Sequence, residues 1–251
     1  MSEPRSGERT FRYGQWQVPI WATVFAVGGI VFMLGLSIWQ VQRLQWKEGL
    51  IAARQAALAQ PPVDLPTTIE DPASWAFRPV RVTGTFDHSK EVVLGARSLN
   101  GNIGYHLITP LIRADGSAVL VDRGWIPLDR RDPGTRPESL VAGEVTVDGI
   151  ARETGKRNWL TPEDSPEENF WFIVDIPAIG RHLGLARVLP VFVEAGPGSP
   201  DTFPIGGQTR VELPNDHLQY AITWFLLAVA LAVIYVLYVR RLNMPEPESS
   251  P

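Results

Sequence analysis

Two long uncharged runs constrain this chain more than any other feature. No Asp, Glu, Lys or Arg occurs from Tyr13 to Gln42, or again from Leu218 to Val239, although charged residues make up 20% of the 251 residues. Val18–Gln40 and His217–Val239, at 1.5 Å per helical residue, each reach about 34 Å, enough to cross the ~30 Å hydrocarbon layer of a bilayer. The first run is too long for the apolar core of a signal peptide and leads into Trp39, Gln40 and Arg43 rather than a small-residue cleavage site. Trp16, Trp21, Trp39 and Trp46 lie near its ends, and Arg240–Arg241 close the second run. Rings and basic groups of this kind favour the headgroup level, which separates a membrane span from a buried core helix. Pro19 is tolerated in the first turn of a helix. Ala22, Ala26 and Gly29 share one face of the first span, as Ala221, Ala228 and Ala232 do of the second, so the two helices are expected to pair.

Two spans put both termini on one side. Arg5, Arg9, Arg12, Arg240 and Arg241 flank that side, against Arg43, Lys47, Arg54 and Arg210 on the other. This small margin reads as termini inside. The expected organisation is a cytoplasmic N-terminus over 1–17, a span over 18–40, a helical extension over 41–60, an extracytoplasmic β-rich domain over 61–214, a second span over 217–239 and a cytoplasmic tail over 240–251. The extension has helical spacing of polar and apolar residues and stops at Pro61–Pro62.

Short extended runs then follow: Phe77–Phe86, Glu91–Ala96, Tyr105–Ile112, Ala118–Asp122, Glu144–Ile150 and Val188–Glu194. Val80, Val82 and Phe86 face one way and Arg81 and Thr83 the other, as in a sheet with one wet face. Ala114–Gly116 and Leu99–Asn102 read as turns, and helical signal is confined to about Ile176–Gly184. The fold class expected is therefore a membrane protein whose N- and C-terminal transmembrane helices flank an antiparallel, β-rich, barrel-like domain.

The composition excludes several chemistries. A net charge of −4 and a pI near 5.6 leave no basic stripe for nucleic acid. Without cysteine there is no disulfide, thiolate metal site, thiol nucleophile or covalent c-type haem. Any metal or haem must be held by His, Met, Tyr or carboxylate. His88, His106 and His182 show no metal-ligand spacing, and no phosphate loop, nucleophile elbow or dinucleotide fingerprint occurs. Pro204–Gln208, with Gly206 and Gly207, reads as a tight turn. His217 differs: it stands at the mouth of the second span, with Tyr220 and Trp224 following at i+3 and i+7. That stripe suits a flat apolar cofactor, because imidazole ligates haem iron and aromatic rings pack on a porphyrin face. On residue chemistry alone it suits better still an interfacial belt that only anchors the helix.

Several strings together resemble the surfeit locus protein 1 family, the assembly factors of cytochrome c oxidase. They are Gly35–Gln40 with Arg43 and Trp46–Lys47, Phe77–Val80, Gly104–His106, Val121–Pro127, Pro204–Arg210 and Asn215–Trp224. They run in family order over almost the whole chain. Ser37 stands where a second glycine often sits, and Asn169–Phe172 lacks the histidines of some relatives. The resemblance implies an assembly role rather than turnover of a substrate. It implies that haem a is brought to cytochrome c oxidase subunit I, or that subunit I is held while the cofactor enters, with haem a synthase as a further partner. It makes His217 the haem-iron ligand, with Tyr220 and Trp224 against the macrocycle and Arg210 or Arg43 facing the propionates. A cofactor-free scaffold for subunit I is the alternative, and an exterior enzyme or sensor has no motif in its favour. The family also implies inside termini and an exterior domain. Glu3 and Glu8 are unlike an acidic-poor transit peptide, so the expected location is a bacterial plasma (inner) membrane with the domain on the periplasmic side.

Overall fold

The computed structural model describes residues 10–13, 16–199, 202–209 and 214–244. Its elements, in chain order, are β1 (Thr10–Tyr13), β2 (Trp16–Pro19), α1 (Ile20–Leu58), β3 (Val63–Asp64), β4 (Pro79–Phe86), β5 (Val92–Leu99), β6 (Asn102–Ile112), β7 (Ala118–Pro127), β8 (Glu144–Glu153), β9 (Phe170–Trp171), α2 (Ile176–His182), β10 (Val188–Ala195) and α3 (His217–Leu242). They form two units, Met1–Ala52 with Glu212–Pro251, and Ala53–Val211.

In the first unit, a hairpin of β1 and β2 leads into α1. The hairpin was not expected from sequence. It takes Val18 and Pro19 out of the helix, and the Pro19 carbonyl instead accepts the Thr23 hydroxyl at 2.8 Å. One uninterrupted helix covers both the first apolar run and its polar continuation to Leu58. Mean hydropathy reaches 2.0 in α1 and 2.5 in α3, yet only 6% of each apolar window is buried within the structure. A core helix would hide that surface, whereas Phe25, Phe32, Leu226 and Ile234 point outward.

The second unit is built on period-two alternation. Val80 and Val82 point inward from β4, while outward Arg81 pairs with its cross-strand partner Asp148 at 2.7 Å and Thr83 with Thr146 at 2.9 Å. The sheet runs β3-β4-β8-β10-β7-β6-β5-β9, and β4 also pairs with β6 through Thr85↔Ile112 and Phe86↔Leu111. That last pairing closes β4, β8, β10, β7 and β6 into a five-stranded barrel, with Val80, Val82, Leu111, Val119, Val121, Val191 and Val193 filling it. The junctions are not all antiparallel as expected: β7–β10, β3–β4 and β5–β9 are parallel. Parallel neighbours need a long crossover, and the chain between Pro127 and Val188, including β8 and α2, supplies one for β7 and β10. Asp175 caps α2 by accepting from the Ala178 N–H at 3.0 Å. Ile176 and Ile179 then cover Leu120 and Phe192 on the outer face of the barrel. This explains why β7 is buried on both faces.

Two local features shape this unit. On β7 the register slips: Leu107 faces Gly124 but Ile108 faces Asp122, so Arg123 is the extra residue of a bulge and Gly124 takes φ +119°. Arg123, on the same face as Val119 and Val121, lies 3.8 Å from Glu91, and Glu91 is also bonded by the fully buried Arg136. Pro204–Gln208, expected as a tight turn, instead lies along the barrel. Ile205 exchanges backbone hydrogen bonds of 2.8 and 2.9 Å with Trp125, and the Gly207 N–H reaches the Ala195 carbonyl at 2.9 Å. Without a Cβ at Gly124 the strap can approach; one added there would lie 2.1 Å from the Ile205 oxygen.

Candidate functional site

The pairing of α1 with α3 sets the site. Its contacts descend one helix as they ascend the other: Thr23 with Tyr235 at 2.6 Å, the Ser37 hydroxyl to the Ala221 carbonyl at 2.9 Å, and Gln40 with His217 at 2.6 Å. The helices are therefore antiparallel. Thr23 already donates to Pro19, so the Tyr235 phenol donates to Thr23. Small residues allow this approach, as the sequence suggested. Ala26, Ala221 and Ala228 are buried, and a Cβ on Gly29 would come within 2.9 Å of Leu231.

His217 opens α3, half-buried, with Nδ1 2.6 Å from Gln40 Oε1 and the Trp39 ring standing edge-on at 6.5 Å. Among the described residues no partner takes its Nε2. Trp224 is half-buried, on the face that carries Ala221 and Ala228, whereas Tyr220 lies to one side and is 56% exposed. Arg43, three residues beyond Gln40, places its guanidinium 3.8 Å above the Trp46 ring. Arg210 lies outside the described residues. The helix pair thus brings His217 together with Trp39 and Gln40, which the sequence marks as the end of the first span but does not link to His217. Among the described residues no three His, Asp or Glu side chains cluster to hold a metal ion. A single imidazole suits a group that brings its own ligand set, as a porphyrin does.

The barrel unit has a concavity of about 570 Å³ that sequence reasoning missed, lined by Arg54, Arg97, His106, Asp122, Arg152 and Glu194 among others. His106 Nδ1 lies 2.8 Å from Asp122 Oδ2, and Asp122 Oδ1 accepts the Gly124 N–H at 3.0 Å. The pairing of β6 with β7 brings these two side chains together, and no spacing rule in one sequence announces it. Arg152 donates to both Glu194 oxygens at 2.9 Å. Phe77, at φ +66°, is stacked between the guanidinium carbons of Arg54 and Arg152 at 4.5 and 4.4 Å. Ser98 lines the same hollow, and among the described residues no hydrogen bond joins it to His106. Elsewhere on this unit the Arg81 hydrogen bond holds the exposed Asp148 carboxyl below its usual range, and Asp148 in turn raises Arg81.

Two apolar helices flanking a closed five-stranded barrel, paired through small residues and joined by an imidazole, define a membrane-anchored β-barrel protein. The SURF1 family model matches residues 27–229. The surfeit locus protein 1 of Mus musculus is 37% identical over 228 residues, covering 82% of this chain and 72% of that one, and the protein of that name from Homo sapiens is 37% identical over 226 residues, covering 82% and 73%. A SURF1-like protein of Monosiga brevicollis is 34% identical over 224 residues and covers 84% of both chains. The chain belongs to the SURF1 family.

Proposed function

We propose that this protein is an assembly factor for cytochrome c oxidase that binds haem a through His217 and passes it to subunit I, acting as a carrier rather than a catalyst. The observation that carries the reading is an imidazole fixed at the head of a membrane helix, with Nδ1 engaged by Gln40 and Nε2 not taken by any described residue. Haem supplies the equatorial ligands of its iron, so one axial nitrogen from the chain suffices. The Trp39 ring stands edge-on to the imidazole, and Tyr220 and Trp224 follow His217 along α3. Arg43, and Arg210 beyond the described residues, are the candidate partners for propionates by charge-assisted bonds. Subunit I and haem a synthase are the partners this role requires, together with the lipid that receives the outward apolar faces.

The orientation proposed is termini in the cytoplasm and barrel in the periplasm of a bacterial plasma membrane, supported by the basic flank at Arg240–Arg241. Because the chain has no cysteine, single cysteines placed at Ser98 and Ser249 report sidedness directly. Labelling of both by one membrane-impermeant reagent in intact cells would exclude this topology.

Haem binding is tested by producing the chain in membranes that make haem a and purifying it in detergent. The expected preparation has a Soret band, lost in His217→Ala. A full band in that variant refutes ligation by His217. A second reading, a cofactor-free scaffold, is supported by the large apolar side chains on the outward faces of both helices. Under it, no preparation carries haem and His217→Ala leaves oxidase assembly intact.

A further inference from the structure

We propose that Gln40 is a positioning residue for His217: its side-chain carbonyl accepts a hydrogen bond from Nδ1–H, keeping the proton on Nδ1, so that Nε2 is presented unprotonated to the haem iron. This rests on the ligation reading above and specifies how the chain prepares the ligand. The 2.6 Å contact joins residues 177 positions apart, across two helices that meet only because α1 and α3 run antiparallel.

The chemistry follows from what each atom can do. A neutral imidazole carries one proton on one of two nitrogens, and the free ring in water exchanges it between them. An amide oxygen only accepts, so facing Nδ1 it selects the Nδ1–H tautomer and leaves the lone pair on Nε2. Metal-bound histidines generally donate their other N–H to such an acceptor, which fixes the ring and makes the ligating nitrogen more basic. The Trp39 edge, with its plane 85° from the imidazole, restrains the same ring from a second direction. The Ser37 bond to the Ala221 carbonyl, close to Gln40 on α1 and four residues beyond His217 on α3, holds the two backbones in register at this point. A hydrogen bond that merely clamped the helices would serve equally well with the Gln40 amide turned so that its N–H donates to Nδ1, and this is where the two roles separate.

The first measurement needs no haem. In detergent-solubilised full-length protein labelled with ¹⁵N-histidine, the His217 signals, assigned by their loss in His217→Ala, should show Nδ1 protonated and Nε2 bare. The opposite tautomer, or equal sharing, overturns the proposal. In protein purified with haem a, Gln40→Leu should weaken haem retention roughly 10- to 100-fold. Gln40→Glu, which keeps an acceptor and adds negative charge, should retain haem and move its reduction midpoint to lower potential. If Gln40→Leu matches the parent in retention and midpoint while His217→Ala has lost the Soret band, ligation stands and the positioning role falls. If His217→Ala keeps the band, both fall together.

Discussion

Replacing Arg136 tests the account of the barrel's buried charges. Arg136 has no exposed surface; its Nη1 donates to Ser139 Oγ at 2.8 Å and to Glu91 at 3.3 Å, its Nη2 to the other Glu91 oxygen, and its Nε to the Arg130 carbonyl at 2.9 Å. Glu91 is only 8% exposed and also has Arg123 at 3.8 Å, so two cations share one acid. Burial lowers the Arg123 pKa, and the Glu91 field opposes that shift. Arg136→Met roughly keeps the volume but removes the charge and the side-chain donors to the Arg130 carbonyl and Ser139 hydroxyl. Breaking a buried pair generally costs about 3–5 kcal/mol, and the lower end applies because Arg123 still neutralises Glu91. At roughly 2–4 °C per kcal/mol for a domain of this size, about 3 kcal/mol is a fall of ~6–12 °C in Tm. The assay is thermal unfolding of the detergent-purified full-length chain, followed by near-UV circular dichroism. Glu91→Gln and the double variant complete a cycle, in which the double should cost at least ~1 kcal/mol less than the sum of the singles. A Tm for Arg136→Met within about 2 °C of the parent, or strict additivity, refutes this reasoning.

Gly124→Ala should destabilise the barrel unit by about 2–4 kcal/mol, because the added methyl meets the Ile205 carbonyl at 2.1 Å and the backbone is at φ +119°. Gly101→Ala, at φ +82° with open space around it, should cost only about 1 kcal/mol, and equal Tm losses for the two would contradict the strap contact. Asp115 has its pKa held below the usual carboxylate value by the Ser117 hydroxyl at 2.6 Å and the Ser117 N–H at 3.0 Å. A lowered folded pKa stabilises above the unfolded value near 3.9 and loses that contribution as pH falls through the folded one. The Tm difference between the parent and Asp115→Asn should therefore be constant from pH 7 to about 5 and shrink below 4; a difference that grows on acidification points the other way.

Much of the architecture is legible in single-residue chemistry. The absence of charge over Tyr13–Gln42 and Leu218–Val239 locates the two helices, and alternation such as Val80–Arg81–Val82–Thr83 locates the strands and their inward faces. What escaped reading depends on partners distant in sequence. The two-residue strands Val63–Asp64 and Phe170–Trp171 are too short to show a period and exist because β4 and β5 offer them an edge. The parallel β7–β10 junction leaves no local trace, since a buried strand shows the same valines whichever way its neighbour runs. At the candidate site His217 stood out through its position, but Gln40 did not, because a glutamine at a helix end has no signature until the opposing helix is in place. His106 and Asp122 meet only once β6 has paired with β7.

Closure of the barrel also dictates an order of events during biosynthesis. Every junction of β10, to β8 and to β7, waits for Val188–Ala195, by which time three quarters of the polypeptide has been made and the N-terminal anchor has long since emerged. Pairings so remote along the chain form slowly, on the order of milliseconds to seconds. The nascent sheet must therefore persist open along β7 and β8, tethered at one end, until β10 arrives, and only after that does the second anchor, with its histidine, become available to meet the first.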